Sequence, residues 1–303
     1  MKKDSPDSPK SAHTLPMAPT GPTPPVAASP GEIPEKLLPG VGSVIPVASG
    51  KGGVGKSTVS ANLALALVRK GARVGILDAD VYGPSIPLIL GVTAKPQSAG
   101  DRIQPVEKYG LKVISMAFFL PEGEALIWRG PMLAKAVEQF LGGVEWGELD
   151  YLIVDLPPGT GDIQLSLCQR IPLTGAVIVS TPQEAALQVA ERAVFMFRKL
   201  NCPVLGIIEN MSHYLCTHCG EREEIFGYGG CRRAAERIGT AFLGEIPLHT
   251  KVRADSDSGH PTVVADCDSP QSRAFLDVTD RLLEEIAKES RKADSATETR
   301  ITY

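Results

Sequence analysis

The sequence contains no long apolar segment. Nowhere in its 303 residues is there an uninterrupted run of about 18 apolar side chains, the length that a membrane-spanning helix requires. No apolar core follows Lys2 and Lys3, as it would in a signal peptide, and Asp4 and Asp7 are unlike a transit peptide. We therefore expect no membrane partner and no secretion.

An excess of basic residues is also lacking. The chain has 31 Lys and Arg against 35 Asp and Glu, which gives a formal net charge of −4. Proteins that bind nucleic acids non-specifically carry a basic net charge or a clustered basic face. The composition therefore predicts no nucleic-acid partner, and its 43% hydrophobic content suits one large α/β domain or two small ones.

Aromatic and β-branched residues are scarce at the N-terminus, where ten of the 25 prolines precede Gly40. Residues 1–38 cannot bury enough apolar surface to offset the entropy lost on ordering. We predict a disordered leader over residues 1–38, a folded domain over 39–289 and a polar tail over 290–303.

Six cysteines occur without a signal peptide. In such a chain, paired cysteines are more often metal ligands or redox groups than structural disulfides. We therefore predict a cytoplasmic protein. Cys168, Cys202 and Cys267 stand alone in the sequence, and burial is the simplest expectation for each.

Residues 50–57 form a glycine-rich phosphate-binding pattern, Gly-Lys-Gly-Gly-Val-Gly-Lys-Ser. Glycine lets the backbone adopt positive φ and direct its N–H groups at phosphate oxygens. Lys56 supplies a charge for the outer phosphates, and the Ser57 hydroxyl is a candidate ligand of Mg²⁺. Lys51 has no part in this minimal cradle. The other predicted nucleotide-binding residues of the loop are Gly50, Gly52, Gly53, Val54, Gly55 and Thr58.

The surroundings of this loop fit a nucleotide site. Apolar residues 44–48 before it predict a buried parallel strand, and the apolar spacing over residues 58–70 predicts a helix after it. Pro46 is the exception, because proline removes a hydrogen-bond donor from a central strand.

Two further predicted strands, residues 72–77 and 151–154, lead into aspartates. The carboxyl ends of parallel strands meet at one sheet edge, where ligands bind. Asp80 is the candidate for orienting water, whereas Asp78 is expected only to end its strand. Asp155 is the second carboxylate expected near the Mg²⁺ of the loop.

The rest of the chain alternates strands with helices. The remaining predicted elements are a hairpin of residues 103–106 and 111–115, strands 176–180, 204–208 and 241–246, and helices 183–200 and 269–287. This alternation predicts a doubly wound, mostly parallel sheet flanked by helices. The apolar stripe expected to pack helix 183–200 on the sheet is Ala185, Val189, Ala193, Phe197 and Leu200. Loop 157–162 contains glycines and is a candidate switch.

Cys216 and Cys219 form a C-x-x-C pair in a predicted loop. A short turn brings both sulfurs to one metal centre, but two thiolates are not four ligands. Cys231 and a histidine could complete a zinc site, or a second copy of the chain could supply its own pair across a two-fold axis. A redox dithiol is the third possibility.

Together these motifs resemble one family. Segments 49–58, 78–85, 128–131, 155–162, 209–212 and 216–220 are similar to those of the Mrp/ApbC/Nbp35-type ATPases, and the resemblance covers residues 44–286. It implies a P-loop NTPase fold of the MinD/Mrp type. It also implies a homodimer that hydrolyses ATP with Mg²⁺, takes a [4Fe-4S] cluster from scaffold proteins and delivers it to apo-proteins.

The resemblance also assigns roles to residues. It implies that Cys216 and Cys219 of each chain ligate a [4Fe-4S] cluster shared across the dimer. It implies that Lys51 reaches the partner's nucleotide and stabilises the transferring phosphoryl group, and that Asn210 contacts the base. Lys51 is thus also a predicted nucleotide-binding residue. The predicted catalytic residues are Lys51, Lys56 and Asp80.

The chain departs from the family pattern at Pro46, at Cys231, which we expect to be a buried thiol, and in a leader without the small N-terminal domain of many relatives. Two other functions share this type of loop: a MinD/ParA-like ATPase that positions itself on membrane or DNA, and an electron-transfer reductase. Helix 269–287 mixes acidic and basic residues, unlike a membrane-binding helix with a basic face.

Overall fold

The computed structural model describes residues 38–119, 130–159, 161, 164, 168, 171, 173–216 and 218–301. These residues fall in the second of two compact units of the chain, Ile33–Tyr303. Residues 1–37 of the predicted leader, the Trp128-Arg129 pair and Asp162 of the predicted switch loop lie outside the described residues.

Most strands of the described chain join one sheet. In chain order the strands are β1 (Val41–Ala48), β2 (Val74–Asp78), β3 (Gln97–Ala99), β4 (Arg102–Gln104), β5 (Val106–Lys108), β6 (Leu111–Ser115), β7 (Leu149–Asp155), β8 (Ala176–Ser180), β9 (Val204–Leu215), β10 (Arg222–Glu223) and β11 (Phe242–Leu248). Their lateral order is β10-β9-β8-β1-β7-β2-β6-β5, with β11 also beside β9, while β3 and β4 form a separate hairpin.

The sheet is mostly parallel. Every pairing from β9 across to β6 is parallel, and so is that of β11 with β9. Only β5 and β10 join it antiparallel. Because β1 lies in the middle and the chain winds outward on both sides of it, the predicted doubly wound fold is confirmed.

Helices cover both faces of this sheet. They are α1 (Lys56–Arg69), α2 (Ile86–Leu90), α3 (Gly130–Gly143), α4 (Glu184–Lys199), α5 (Gly230–Ile238), α6 (Thr250–Asp257), α7 (Thr262–Ala265) and α8 (Pro270–Ile301). One core, between the sheet and α1 and α8, contains fully buried Leu63 and Phe275. The other, under α3, α4 and α5, contains Phe197 and Ala234. No helix among the described residues is long and apolar enough to cross a membrane.

Pro46 is accommodated inside β1. The N–H of Val44 donates to Thr174 Oγ1 at 3.2 Å, and the N–H of Thr174 donates to Val44 O at 3.0 Å. Since alternate residues of a strand face the same neighbour, the Pro46 nitrogen also faces this side. On this side β8 pairs only with Val47 and Ala48 of β1. The N–H group that Pro46 lacks is therefore not needed for the pairing of β1 with β8.

Two local predictions were wrong. The predicted hairpin does form at the sheet margin, and its second strand has the predicted bounds, 111–115. Its first strand was wrong: residues 103–106 do not form one strand, because Pro105 separates β4 from β5, and only β5 pairs with β6. The helix that was expected to end at residue 287 continues as α8 to Ile301.

The predicted stripe of α4 was partly wrong. Ala193 and Phe197 are buried, but Ala185 is exposed and Ala186 is buried instead. The first half of α4 packs on the sheet through Leu187 and Ala190 and also approaches the phosphate loop, since a methyl group on Gly50 would meet the Val189 backbone.

Candidate nucleotide and cysteine sites

The glycine-rich loop joins the end of β1 to the start of α1. Gly53 and Gly55 adopt φ values of +82° and +78°, a conformation that strains other residues. A methyl group on Gly55 would lie 2.3 Å from Asn210 Nδ2, and one on Gly50 would lie 2.5 Å from the carbonyl carbon of Val189. The loop therefore needs glycine both for its conformation and for its close packing against β9 and α4.

Lys56 and Ser57 share one buried carboxylate, that of Asp155. Lys56 Nζ lies 2.8 Å from Asp155 Oδ2, and the Ser57 hydroxyl donates to the same oxygen at 2.6 Å. Ser60, one turn along α1, donates to Asp155 Oδ1 at 2.6 Å. These contacts compensate Asp155 for the hydration that it loses on burial at the end of β7. The fold thus brings together the side chains predicted for the phosphates and the Mg²⁺.

Asp80 borders the same cluster. Its Oδ2 lies 3.8 Å from Lys56 Nζ, and its Oδ1 accepts the N–H groups of Tyr82 at 3.2 Å and Gly83 at 3.3 Å. Burial raises the pKa of Asp80, the Lys56 ammonium opposes this rise, and the Asp155 charge adds to it. Asp80 therefore presents a carboxylate to the cavity from a loop fixed by its own hydrogen bonds.

Asp78 does more than end β2. Its carboxylate is fully buried and accepts the Ser115 hydroxyl at 2.9 Å and the N–H groups of Ile86 and Asp80, each at 3.2 Å. Burial, and then the charge of Asp155, raises the pKa of Asp78 to about 7. Asp78 ties the loop that carries Asp80 and the start of α2 to the sheet edge.

An open cavity of about 460 Å³ lies over the phosphate loop. Lys56, Ser57 and Asp80 line it together with Asn210 and Met211 from β9. The Asn210 amide donates to Val54 O at 2.8 Å and so joins β9 to the loop. A cavity with glycine N–H groups, a lysine and a hydroxyl on its floor suits a phosphate-bearing ligand.

Lys51 is placed differently from Lys56. Its side chain is exposed, and the contact described for this residue is through its backbone, where its carbonyl accepts the Ser49 hydroxyl at 3.1 Å. Lys51 therefore stands outside the cluster that Lys56 forms with the chain's own carboxylates.

Cys216 and Cys219 follow the end of β9. The strand β9 runs past β8, whose pairing with it ends at Ser180 and Glu209. A tight turn follows, in which the N–H of Cys216 donates to Glu221 O and the N–H of Gly220 donates to Cys216 O, both at 2.9 Å. Because β1, β8 and β9 are parallel, the cysteines project from the same sheet edge as the phosphate loop.

The turn favours the thiolate form of Cys216. Hydrogen bonds from the backbone N–H groups of Cys219 and His218, and then from the Cys219 side chain, lower the pKa of Cys216. The thiolate is the form that ligates metals. Cys216 is half-buried and Cys219 is exposed, so the pair is accessible from outside the chain.

The remaining cysteines lie elsewhere. Cys231 is fully buried in α5, as predicted, and burial raises its pKa. In the part of the chain that the structure describes, no three His, Cys, Asp or Glu side chains are placed to hold a metal ion, so the internal zinc site is not formed there. The prediction of burial was wrong for Cys267, which is exposed in the loop before α8. Cys168 and Cys202 are not isolated, because a hydrogen bond between their side chains lowers the pKa of Cys168 and raises that of Cys202.

Ser60 and Glu209 were missed by the sequence reasoning. Both are fully buried polar residues, Ser60 between Val59 and Ala61 in α1 and Glu209 directly after Ile207 and Ile208 in β9. That contrast is the signal that could have revealed them, since a buried polar side chain has a hydrogen-bond partner.

A doubly wound parallel sheet with this loop and carboxylate cluster at its carboxyl edge defines a P-loop nucleotide-binding protein. A sequence profile described as ParA, NUBPL iron-transfer P-loop NTPase, matches residues 40–283, and the chain belongs to this family. It is 51% identical over 254 residues to a Haemophilus influenzae protein named iron-sulfur cluster carrier protein, a match that spans 83% of this chain and 69% of the relative. The resemblance drawn from the motifs is thereby confirmed.

Solved structures agree with this assignment. A nucleotide-binding protein from Archaeoglobus fulgidus, solved in complex with ADP, is 42% identical, with a TM-score of 0.69 over 80% of this chain and 95% of the other. The cell division ATPase MinD of Pyrococcus furiosus superposes with a TM-score of 0.61 over 80% of this chain and 99% of its own. At 21% identity, this second likeness shows a shared fold alone.

Proposed function

We propose that this chain is a nucleotide-dependent carrier that takes an iron-sulfur cluster as cargo from a scaffold protein and delivers it to an apo-protein. Its family and a relative named as a cluster carrier support this. The observation that carries the proposal is the accessible pair Cys216 and Cys219, in a thiolate-favouring turn that follows the strand whose Asn210 contacts the phosphate loop.

In this proposal the nucleotide is ATP, bound in the cavity over the loop. The glycine N–H groups and Lys56 hold its phosphates, Asn210 contacts the base, and Asp80 orients the attacking water. The ADP of the Archaeoglobus fulgidus relative supports a nucleotide of this class. Hydrolysis is slow and coupled to transfer of the cluster.

Mg²⁺ fits the same site. The Ser57 hydroxyl lines the cavity and donates to the buried Asp155 Oδ2 at 2.6 Å, and both are the hard oxygen donors that Mg²⁺ prefers. Ser57 would ligate the ion and Asp155 would stay in its outer shell. When bound, Mg²⁺ neutralises charge on the phosphate oxygens during transfer.

The working unit in this proposal is a homodimer. A [4Fe-4S] cluster held by protein thiolates takes four of them, and one chain offers two in its C-x-x-C turn, so a second copy completes the set. The exposed Lys51 supports a role towards the partner's nucleotide. The cytoplasm, the absence of membrane or nucleic-acid partners and the domain bounds 39–289 remain part of the proposal, on the basis of composition.

Anaerobic reconstitution tests the cluster. We expect the wild type to bind iron and sulfide and to show the visible absorption of a [4Fe-4S] centre, which a zinc protein lacks. The variant carrying both Cys216→Ala and Cys219→Ala should lose nearly all of this absorption, because half of the ligands are gone. Cys267→Ala, at another exposed cysteine, is the matched control and should load as the wild type does. Equal iron and sulfide in the double variant would show that the cluster lies elsewhere.

A further inference from the structure

Glu209 is a buried carboxylate that the nucleotide site does not use. It lies in β9, is 0% exposed and is followed directly by Asn210, which contacts the phosphate loop. Burial of a carboxylate is costly unless hydrogen bonds replace its hydration, so its partners indicate what it does.

The partners of Glu209 lie at the two ends of the segment that carries the cysteines. Its Oε1 accepts the Ser212 hydroxyl at 2.7 Å, at the exit from the central part of β9. The same oxygen accepts the Gly229 N–H at 3.2 Å, and Oε2 accepts the Cys231 N–H at 2.8 Å, where the chain returns into α5. One carboxylate thus closes the base of residues 213–228, which include both cysteines of the C-x-x-C turn.

The same stretch of β9 touches the nucleotide cavity. Successive side chains of a strand point to opposite faces, so Glu209 is directed at α5 while Asn210 is directed at the loop. The Asn210 amide holds Val54 O at 2.8 Å. Met211 lines the cavity and has a φ of +55°, an uncommon conformation for a residue with a side chain. Asn210 therefore links the phosphate loop directly to the backbone that carries Glu209.

We propose that Glu209 is a positioning residue, which holds the cysteine segment in place and, through its neighbour Asn210, passes the state of the phosphate loop to Cys216 and Cys219. This inference rests on the proposed role of those cysteines as cluster ligands. It predicts that nucleotide binding changes the reactivity of the two thiols and that the change depends on the Glu209 carboxylate.

The test measures alkylation of Cys216 and Cys219 by iodoacetamide in the cluster-free full chain, read by mass spectrometry with and without ADP and Mg²⁺. In the wild type we expect nucleotide to change the labelling rate by about threefold or more. In Glu209→Gln we expect labelling without nucleotide to rise about tenfold, the factor that corresponds to losing one charge-assisted hydrogen bond. The nucleotide effect should fall to near one, while ADP affinity stays within about threefold of wild type.

Asp150→Asn is the matched control. Asp150 is another carboxylate that accepts three hydrogen bonds, all from Arg73, but it lies at the opposite end of the sheet. This variant should keep the full nucleotide effect. If it loses the effect as Glu209→Gln does, the proposal is overturned, since a merely structural change would then suffice.

Two further results would also overturn the proposal. One is a wild type whose labelling rate does not change with ADP, and the other is a Glu209→Gln protein that keeps the wild-type nucleotide effect. If circular dichroism shows that Glu209→Gln does not fold, Ser212→Ala removes one of the same hydrogen bonds and leaves the carboxylate. It should reduce the nucleotide effect, and an unchanged effect in this variant contradicts the proposal. Failure of the cluster proposal is seen separately, as a wild type that binds no iron and sulfide.

Discussion

At the scale of single residues, two adjacent buried carboxylates at the sheet edge differ in their partners. Asp155 receives the Lys56 ammonium and two hydroxyl groups, whereas the hydrogen bonds described for Asp78 come from one hydroxyl and two backbone N–H groups. This difference is why burial and the Asp155 charge raise the pKa of Asp78 to about 7. The native state therefore favours a protonated Asp78 over a pH range in which the unfolded chain has lost that proton.

We predict that Asp78 makes the nucleotide-free protein less stable as pH rises. A group whose native pKa is raised contributes stability that is complete below its unfolded pKa, near 3.8, and is lost as pH rises through about 7. Between pH 5 and pH 8 the loss from this group is about 2–3 kcal/mol. In Asp78→Asn this loss should vanish. In urea unfolding, the free energy of unfolding of the variant relative to wild type should therefore be higher at pH 8 than at pH 5 by that amount.

Asp150→Asn serves as the control for this pH effect. The hydrogen bonds from Arg73 lower the pKa of Asp150 to about 2, so both its native and unfolded values lie below the range tested. Its substitution should change stability equally at pH 5 and pH 8. If Asp78→Asn changed the free energy of unfolding equally at the two pH values, the raised pKa of Asp78 would be contradicted.

Part of the site could be predicted residue by residue from the sequence. Lys56 and Ser57 follow from the spacing of one motif, and Asp155 follows from an apolar strand that ends in a carboxylate. The partners of Ser60 and Glu209 could not be predicted, because they are set by packing between distant segments rather than by local spacing.

At the scale of elements, α8 shows where the apolar pattern stops and the helix does not. Ile286 is the last buried residue among those side chains of the helix that the structure describes, yet the helix continues to Ile301. Ion pairs one turn apart, between Lys288 and Glu285 and between Lys292 and Glu289, support the extension. The sequence expectation followed burial, whereas helical propensity and charge pairing extend the helix into solvent.

We predict that the end of α8 adds little stability. Removing residues 292–303 should change the free energy of unfolding by less than about 0.5 kcal/mol, because exposed ion pairs contribute little. Leu282→Ala, at a fully buried position of the same helix, should cost about 2–5 kcal/mol. Urea denaturation of both variants checks this, and a truncated chain as unstable as Leu282→Ala would show that the last turns pack on the domain.

Elements were readable from the sequence where burial is complete. The strand β8 was predicted with its true bounds, since five consecutive apolar or small residues are buried there on both faces. The strand β9 was predicted only up to residue 208. The polar residues that follow are in a strand because they pair with β10 and β11, which the sequence pattern does not show. The short strands β3 and β10 consist of exposed residues and have no apolar pattern to detect.

At the scale of the whole molecule, the sheet brings the phosphate loop and the cysteine turn to one edge. In the proposed function neither site is complete in one chain, since Lys51 is exposed and the cysteine turn offers two of the four thiolates that a [4Fe-4S] cluster takes. A two-fold dimer that places these edges face to face would complete both sites with one operation. We therefore expect that both sites are active only in the dimer.

Mixed dimers test this arrangement through Lys51. A Lys51→Ala subunit keeps its own cradle, whereas a Lys56→Ala subunit keeps the lysine that would serve its partner. Each variant alone should hydrolyse ATP on the order of 100-fold more slowly than wild type, the usual cost of one lost charge stabiliser. Co-expressed in equal amounts, half of the dimers are mixed and each has one working site, so about a quarter of the wild-type rate should return. A rate equal to the average of the separate variants would instead place Lys51 in its own chain's site.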